Sequence, residues 1–182
     1  PLIRMAVIHH RFESIHPFYD GNGRTGRIIN VLYLVHAGLL DIPVLYLSRY
    51  LVRHKNEYYR LLQAVRETGE WQPWVLYMLE AVAETAQQSI TVVSAIRAAM
   101  QDYKHRIRDK FSFYSQDLIN HLFCHPYTKI EFVADALSVS RQTAAKYLDE
   151  LVTENLLHKE KLGKSNYYIN IVLYDILSKQ AA

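Results

Sequence analysis

The chain has 182 residues, half of them hydrophobic and 21% charged, with a formal net charge of +3. This composition excludes a largely disordered chain and allows a real core, in one domain or two small ones. The charge is too mild to imply nucleic acid by itself: through Lys110 there are 14 Lys and Arg against 10 Asp and Glu, and beyond it 7 against 8.

The single cysteine, Cys124, excludes an intrachain disulfide and suits a reducing compartment. Pro-Leu-Ile-Arg at the start lacks a signal-peptide pattern. The most apolar window, 28–47, is interrupted by Asn30, His36, Asp41 and Pro43 and reads as core, not as a membrane span. The expectation is a soluble cytoplasmic protein without membrane contact.

Apolar residues from Leu2 to Ile15 recur near the helical period, and no cap precedes them, so the chain is expected to open inside a helix and to lack an N-terminal part. Pro17 disfavours further helix and Asp20-Gly-Asn-Gly23 is dense in turn residues. A second helix is expected from about Arg24 to Ala37, stopped by Gly38. Ser48 is a candidate N-cap for a third running through Val65, ended near Gly69. Pro73 suits the first turn of another, with helical patterning from Trp74 to about Asp109 as one long helix or two abutting ones. The cations Lys104, Arg106, Arg108 and Lys110 mark its end. A domain boundary is expected there, giving 1–110 and 111–182.

Beyond it, helices are expected over about Ser115 to Phe123, Ile130 to Leu137 and Arg141 to Glu154, with Ser138-Val-Ser140 as a tight turn. Leu156 to Lys161 and Ser165 to Ile171 read as strands joined at Gly163-Lys164. That order is the order of a winged helix-turn-helix. The fold class is therefore mainly α: a helical bundle followed by a small winged-helix α+β domain.

One stretch concentrates the chemistry: His16-Pro17-Phe18-Tyr19-Asp20-Gly21-Asn22-Gly23-Arg24-Thr25-Gly26-Arg27. Glycines flanking Asn22 let backbone amides converge as an anion nest, and the loop leads into a helix N-terminus, itself suited to phosphate. Arg24 and Arg27, three apart, project from one face of the first turn, and two guanidinium forks suit a polyphosphate. Asp20 supplies a hard oxygen ligand for Mg²⁺ shared with phosphates. His16, just before the loop, is of the residue type that most often serves as a general base. The implied chemistry is transfer from a nucleotide phosphate to a hydroxyl.

These residues match the Fic-family signature His-x-Phe-x-Asp/Glu-Gly-Asn-Gly-Arg-x-x-Arg at all eight specified positions. At roughly 5% background per residue, chance accounts for that on the order of once in 10¹⁰ trials. The chain thus resembles Fic (filamentation induced by cAMP) proteins, typically adenylyltransferases moving AMP from ATP to a Ser, Thr or Tyr hydroxyl of a target protein. The resemblance implies His16 as base, Phe18 as a buried anchor of the loop and Asp20 as Mg²⁺ ligand. It further implies Gly21, Asn22, Gly23, Arg24, Thr25, Gly26 and Arg27 as the ATP phosphate site. The stretch Pro43 to Ser48 and the pair Tyr58-Tyr59 also look like Fic proteins. In relatives such a pair borders the adenine, although core packing explains either tyrosine equally well. Some relatives carry an Asn seven residues after the pair, where this chain has Arg66. The inhibitory Ser/Thr-x-x-x-Glu motif of many relatives does not occur in the sequence.

Other functions share this site: a regulator that senses nucleotide without turnover, removal of AMP, or another phosphate-linked transfer. The C-terminal module offers Arg141, Gln142, Lys146 and Lys164 for DNA or a protein partner, with Asp149, Glu150 and Glu154 on the same helix weakening attraction to phosphate. A homodimer is a further expectation. His9-His10 and His121 to His125 complete no four-ligand zinc set.

Overall fold

The computed structural model describes residues 1–179. It is mainly helical, with a small three-stranded sheet late in the chain. The chain forms two compact units, dividing between Thr91 and Val92.

The first unit begins with α1 (Leu2–Ile15), whose last turn is closed by His16 in the left-handed conformation, φ 51°. A short loop leads to α2 (Asn22–His36), which starts two residues before the expected Arg24 because Gly21, at φ 84°, supplies the N-cap and its carbonyl accepts the Thr25 N–H. The helix expected from Ser48 to Val65 is instead α3 (Leu47–Arg53) and α4 (Lys55–Thr68), broken at His54. Ser48 caps nothing. Tyr46 holds the N-cap position with no side-chain bond, and the break at His54 exposes a carbonyl that accepts the Tyr77 hydroxyl at 3.3 Å. Gly69 at φ 73° ends α4 as the sequence implies.

Then α5 (Trp71–Lys110) runs unbroken for 40 residues. Pro73 is tolerated because first-turn amides have no intrahelical partner to lose. Met5, Leu34, Leu47, Leu61, Trp74 and Met78 form the core of the first unit. The Trp74 indole donates to Ala6 O at 2.9 Å, satisfying its buried N–H.

The second unit builds on the last turns of α5, whose Tyr103 and Ile107 are buried with Leu118, Leu148, Leu151, Leu156 and Tyr168. Ser115 and Ser140 accept the N–H groups of Leu118 and Thr143, starting α6 (Gln116–Cys124) and α8 (Arg141–Thr153). Between them lie β1 (Tyr127–Thr128) and α7 (Ile130–Leu137). The strands β2 (His158–Leu162) and β3 (Ser165–Ile169) form an antiparallel hairpin with Lys159 opposite Tyr168, and β1 adds to the free edge of β3. The last strand is two residues shorter than expected, because Asn170 caps α9 (Ile171–Ser178) through the Leu173 N–H. Asn170 also donates to Leu122 O and accepts from the buried Tyr103 hydroxyl at 3.0 Å.

Candidate active site

The loop from His16 to Gly21 is held by a side chain that the sequence reading had assigned to phosphate. Asn22 is 2% exposed. Its Oδ1 accepts the Phe18 N–H at 3.0 Å and its Nδ2 donates to Phe18 O at 2.6 Å. This paired bond folds the loop back on the first residue of α2. Phe18 itself is 50% exposed, its ring 6.2 Å from that of Phe12, so it is no buried anchor. The loop is anchored through the backbone of Phe18 rather than its ring.

The fold leaves the amides of Asn22, Gly23 and Arg24 at the first turn of α2, where no intrahelical carbonyl reaches them. The preceding amide, that of Gly21, donates to Asp20 Oδ1 at 2.7 Å, and Asp20 Oδ2 pairs with Arg24 at 3.3 Å. Both partners of that ion pair are largely exposed, so it costs little to open for a ligand. Three helix-start amides, the positive helix end and two arginines are donors of the kind that suit an anion. Thr25 turns its hydroxyl back to Gly21 O at 3.1 Å.

Gly26 faces away from that mouth. A Cβ there would stand 2.6 Å from Glu13 Oε1 and 3.0 Å from the His9 ring, so its role is close packing of α1 on α2, not phosphate contact. Gly23 is small for another reason: a Cβ would press on Arg27 Nη1 at 3.2 Å. Arg24 and Arg27 both line a groove of about 460 Å³ whose other walls include Ile28, Leu32, Pro43 and Tyr46. The Pro43–Ser48 stretch that resembles relatives is one wall of it.

The tyrosine pair separates. Tyr58 is 8% exposed and its hydroxyl bonds His9 Nε2 at 3.1 Å within the aromatic cluster of Trp74 and Tyr77. Burial raises its pKa well above that of a free phenol. Tyr59 is 56% exposed, with Lys55 over its ring. Tyr58 is core, and only Tyr59 stays available to a ligand.

Beneath the loop lies a polar cluster that the sequence reading missed. His9 and Glu13 on α1 face Gly26, with the fully buried Asn30 one turn further along α2. His9 Nδ1, Glu13 Oε1, Arg27 Nε and both amide atoms of Asn30 are buried without partners among the described residues. Desolvation lowers the His9 pKa to about 4, and burial raises that of Glu13 against the nearby charges of His16, Arg27 and Arg66. The signal was present as His9 and Glu13 at i, i+4 on α1 and Arg27 and Asn30 at i, i+3 on α2.

No group of three or more His, Cys, Asp or Glu suited to a metal occurs among the described residues. Asp20 fits a divalent cation only as a single hard ligand, the remaining positions falling to phosphate oxygens and water. In the second unit, Arg141, Gln142 and Lys146 lie on α8 and Lys164 in the hairpin turn. Arg141 pairs with Glu131 at 3.9 Å, Lys146 with Glu150 at 3.8 Å and Lys159 with Asp149 at 2.8 Å, leaving that face with little net positive field.

Fold and loop together place a glycine-rich helix N-terminus and two arginines at one end of a helical unit. Residues 1–34 match the Fic/DOC family model, and residues 99–173 match the C-terminal domain model of SoFic-like protein adenylyltransferases. Similar curated proteins include the protein adenylyltransferase Fic of Aedes aegypti, 33% identical over 85 residues, and that of Drosophila yakuba, 32% identical over 85 residues. Protein adenylyltransferase fic-1 of Caenorhabditis elegans is 33% identical over 90 residues. The matches cover 47% to 50% of this chain but only 16% of each relative. Two segments of the chain, 1–34 and 99–173, are thus similar to Fic proteins. No helix among the described residues is long and apolar enough to cross a membrane.

Proposed function

We propose that the chain is a protein adenylyltransferase, transferring AMP from ATP to a Ser, Thr or Tyr hydroxyl of a target protein and releasing pyrophosphate. The observation that carries this reading is the run of unpaired amides at Asn22, Gly23 and Arg24, six to eight residues after His16, with the intervening loop braced by Asn22 on the Phe18 backbone.

In this reading the α-phosphate sits on those amides, with Arg24 and Arg27 on the outer phosphates. His16 takes the proton of the incoming hydroxyl as its oxygen bonds to the α-phosphorus. The bond between that phosphorus and the bridging oxygen breaks, and pyrophosphate leaves. Donors held in place before the reaction stabilise the charge that builds on the phosphoryl oxygens. Asp20 would hold Mg²⁺, which when bound neutralises phosphate charge. Asn22 contributes through the loop shape, Tyr59 through the exposed ring it offers to the base. The Asp20–Arg24 pair opens as ATP arrives.

Catalysis falls in this account to the part of the chain through Lys110, and the helices and hairpin from Gln116 to Ile169 serve as a winged helix-turn-helix. The ion pairs along α8 favour a protein over duplex DNA as its partner. The lone Cys124 supports a cytoplasmic setting.

Parallel incubations with α-labelled and γ-labelled ATP in lysate with Mg²⁺ test the assignment. Label reaching protein from the α-phosphate alone is the expected result. Label from neither, with ATP still bound, would favour the nucleotide-sensing regulator.

A further inference from the structure

Among the described residues no hydrogen bond holds the ring of His16, and the residue is exposed. Its place relative to the α2 amides therefore depends on how firmly the end of α1 is fixed. His16 also adopts a left-handed conformation that residues other than glycine rarely take, and only its own N–H, bonded to Phe12 O at 3.0 Å, is held within α1.

We propose that Arg66 is a positioning residue for His16, acting through the last turn of α1. The proposal rests on His16 being the base. Carbonyls at the end of a helix lack intrahelical donors, and cations there are favoured by the helix dipole. Arg66, on α4, reaches back to this turn with two donors of one planar fork. Its Nη2 donates to Glu13 O at 3.1 Å and its Nε donates to Ser14 Oγ at 3.3 Å.

One turn earlier on each helix the link repeats. His10 Nε2 bonds Leu62 O at 3.2 Å, and Ser14 Oγ lies 3.4 Å from His10 Nδ1. Residues 10 and 14 of α1 are thus tied in register to residues 62 and 66 of α4. On its other flank the same turn buries the Glu13 carboxyl against Gly26 of α2. The turn that carries His16 is held between two helices, and Arg66 is the final fastening before the loop. Position 66, where some relatives carry an asparagine, here directs its guanidinium to the end of α1.

The test compares Arg66→Ala and Arg66→Lys with the unaltered protein by three readouts: kcat and KM for ATP, ATP affinity by titration, and amide hydrogen exchange. A misplacement of about 1 Å costs up to ~100-fold in rate. Arg66→Ala is expected to lower kcat by ~10- to 100-fold with KM and affinity for ATP within about twofold, as expected when only placement of the base is lost. Exchange at the His16 amide should rise by about tenfold or more while the amides of α4 keep their protection. Arg66→Lys, still a cation facing the carbonyls, should recover most of both.

Weakened ATP binding with unchanged exchange at His16 would overturn the proposal in favour of a nucleotide contact. Unchanged kcat and exchange would also overturn it, as would a uniform loss of protection through α1, α2 and α4. Should the unaltered protein transfer no AMP, the adenylyltransferase reading fails on that result, and exchange at His16 still decides whether Arg66 holds it.

Discussion

Replacing Asn22 by alanine separates two roles that the sequence alone leaves merged. As a phosphate ligand only, its loss would leave the ligand-free protein as stable as before, or more so. As the brace of the loop, its loss removes two hydrogen bonds, at 3.0 Å and 2.6 Å, and leaves the Phe18 N–H and C=O without their partner. At about 1 kcal/mol net for each bond, the cost is about 2 kcal/mol. Both tryptophans, Trp71 and Trp74, lie in the first unit, so their fluorescence follows its unfolding. With a urea slope of about 1–2 kcal/mol per molar for a small unit, the midpoint should fall by about 1–2 M at unchanged slope. An unchanged midpoint would refute the brace and return Asn22 to the ligand alone.

Other substitutions and conditions give sharp expectations. Tyr58→Phe strands the buried His9 ring nitrogen and should cost about 1–2 kcal/mol in the same urea assay, whereas Tyr59→Ala should stay within about 0.5 kcal/mol. Equal effects would contradict the division of the pair into core and surface. Acid should weaken the first unit through His9. Its folded pKa of about 4 lies below the unfolded 6.5, so the unfolded state binds more protons between these values. Stability is full above about pH 6.5 and falls by about 2 kcal/mol between pH 7 and pH 5. Glu13, raised from 4.5, acts in the opposite sense, its contribution being lost as pH rises through its folded value. A flat response in both the unaltered protein and a His9→Gln variant would contradict the burial of a neutral imidazole.

Much of this architecture is local and was legible. Leu2–Ile15 and Ile130–Leu137 follow from periodicity, Ser115 and Ser140 from capping, and Gly69 from its left-handed end. What escaped depends on partners distant in sequence. The break at His54 accompanies a bond from Tyr77, and β1 is two residues that become a strand only beside β3. Gly26 reads like its neighbouring glycine until α1 is packed above it. The resemblance implies Phe18 as a buried anchor, but its ring is half exposed and a paired amide bond to its backbone holds the loop instead. The residues of the loop are contiguous, so the sequence presents them together. The groups supporting the loop from below, His9, Glu13, Asn30 and Arg66, come from three helices and meet only in the fold.

The central claim is that His16 moves the proton and the α2 amides hold the phosphate. Transfer from α-labelled ATP and ATP affinity, measured side by side for His16→Ala, test it most directly. The account predicts that transfer is lost while affinity stays within about twofold, because the amides of Asn22, Gly23 and Arg24 remain in place. Transfer that persists without His16, or affinity lost together with it, would contradict the account.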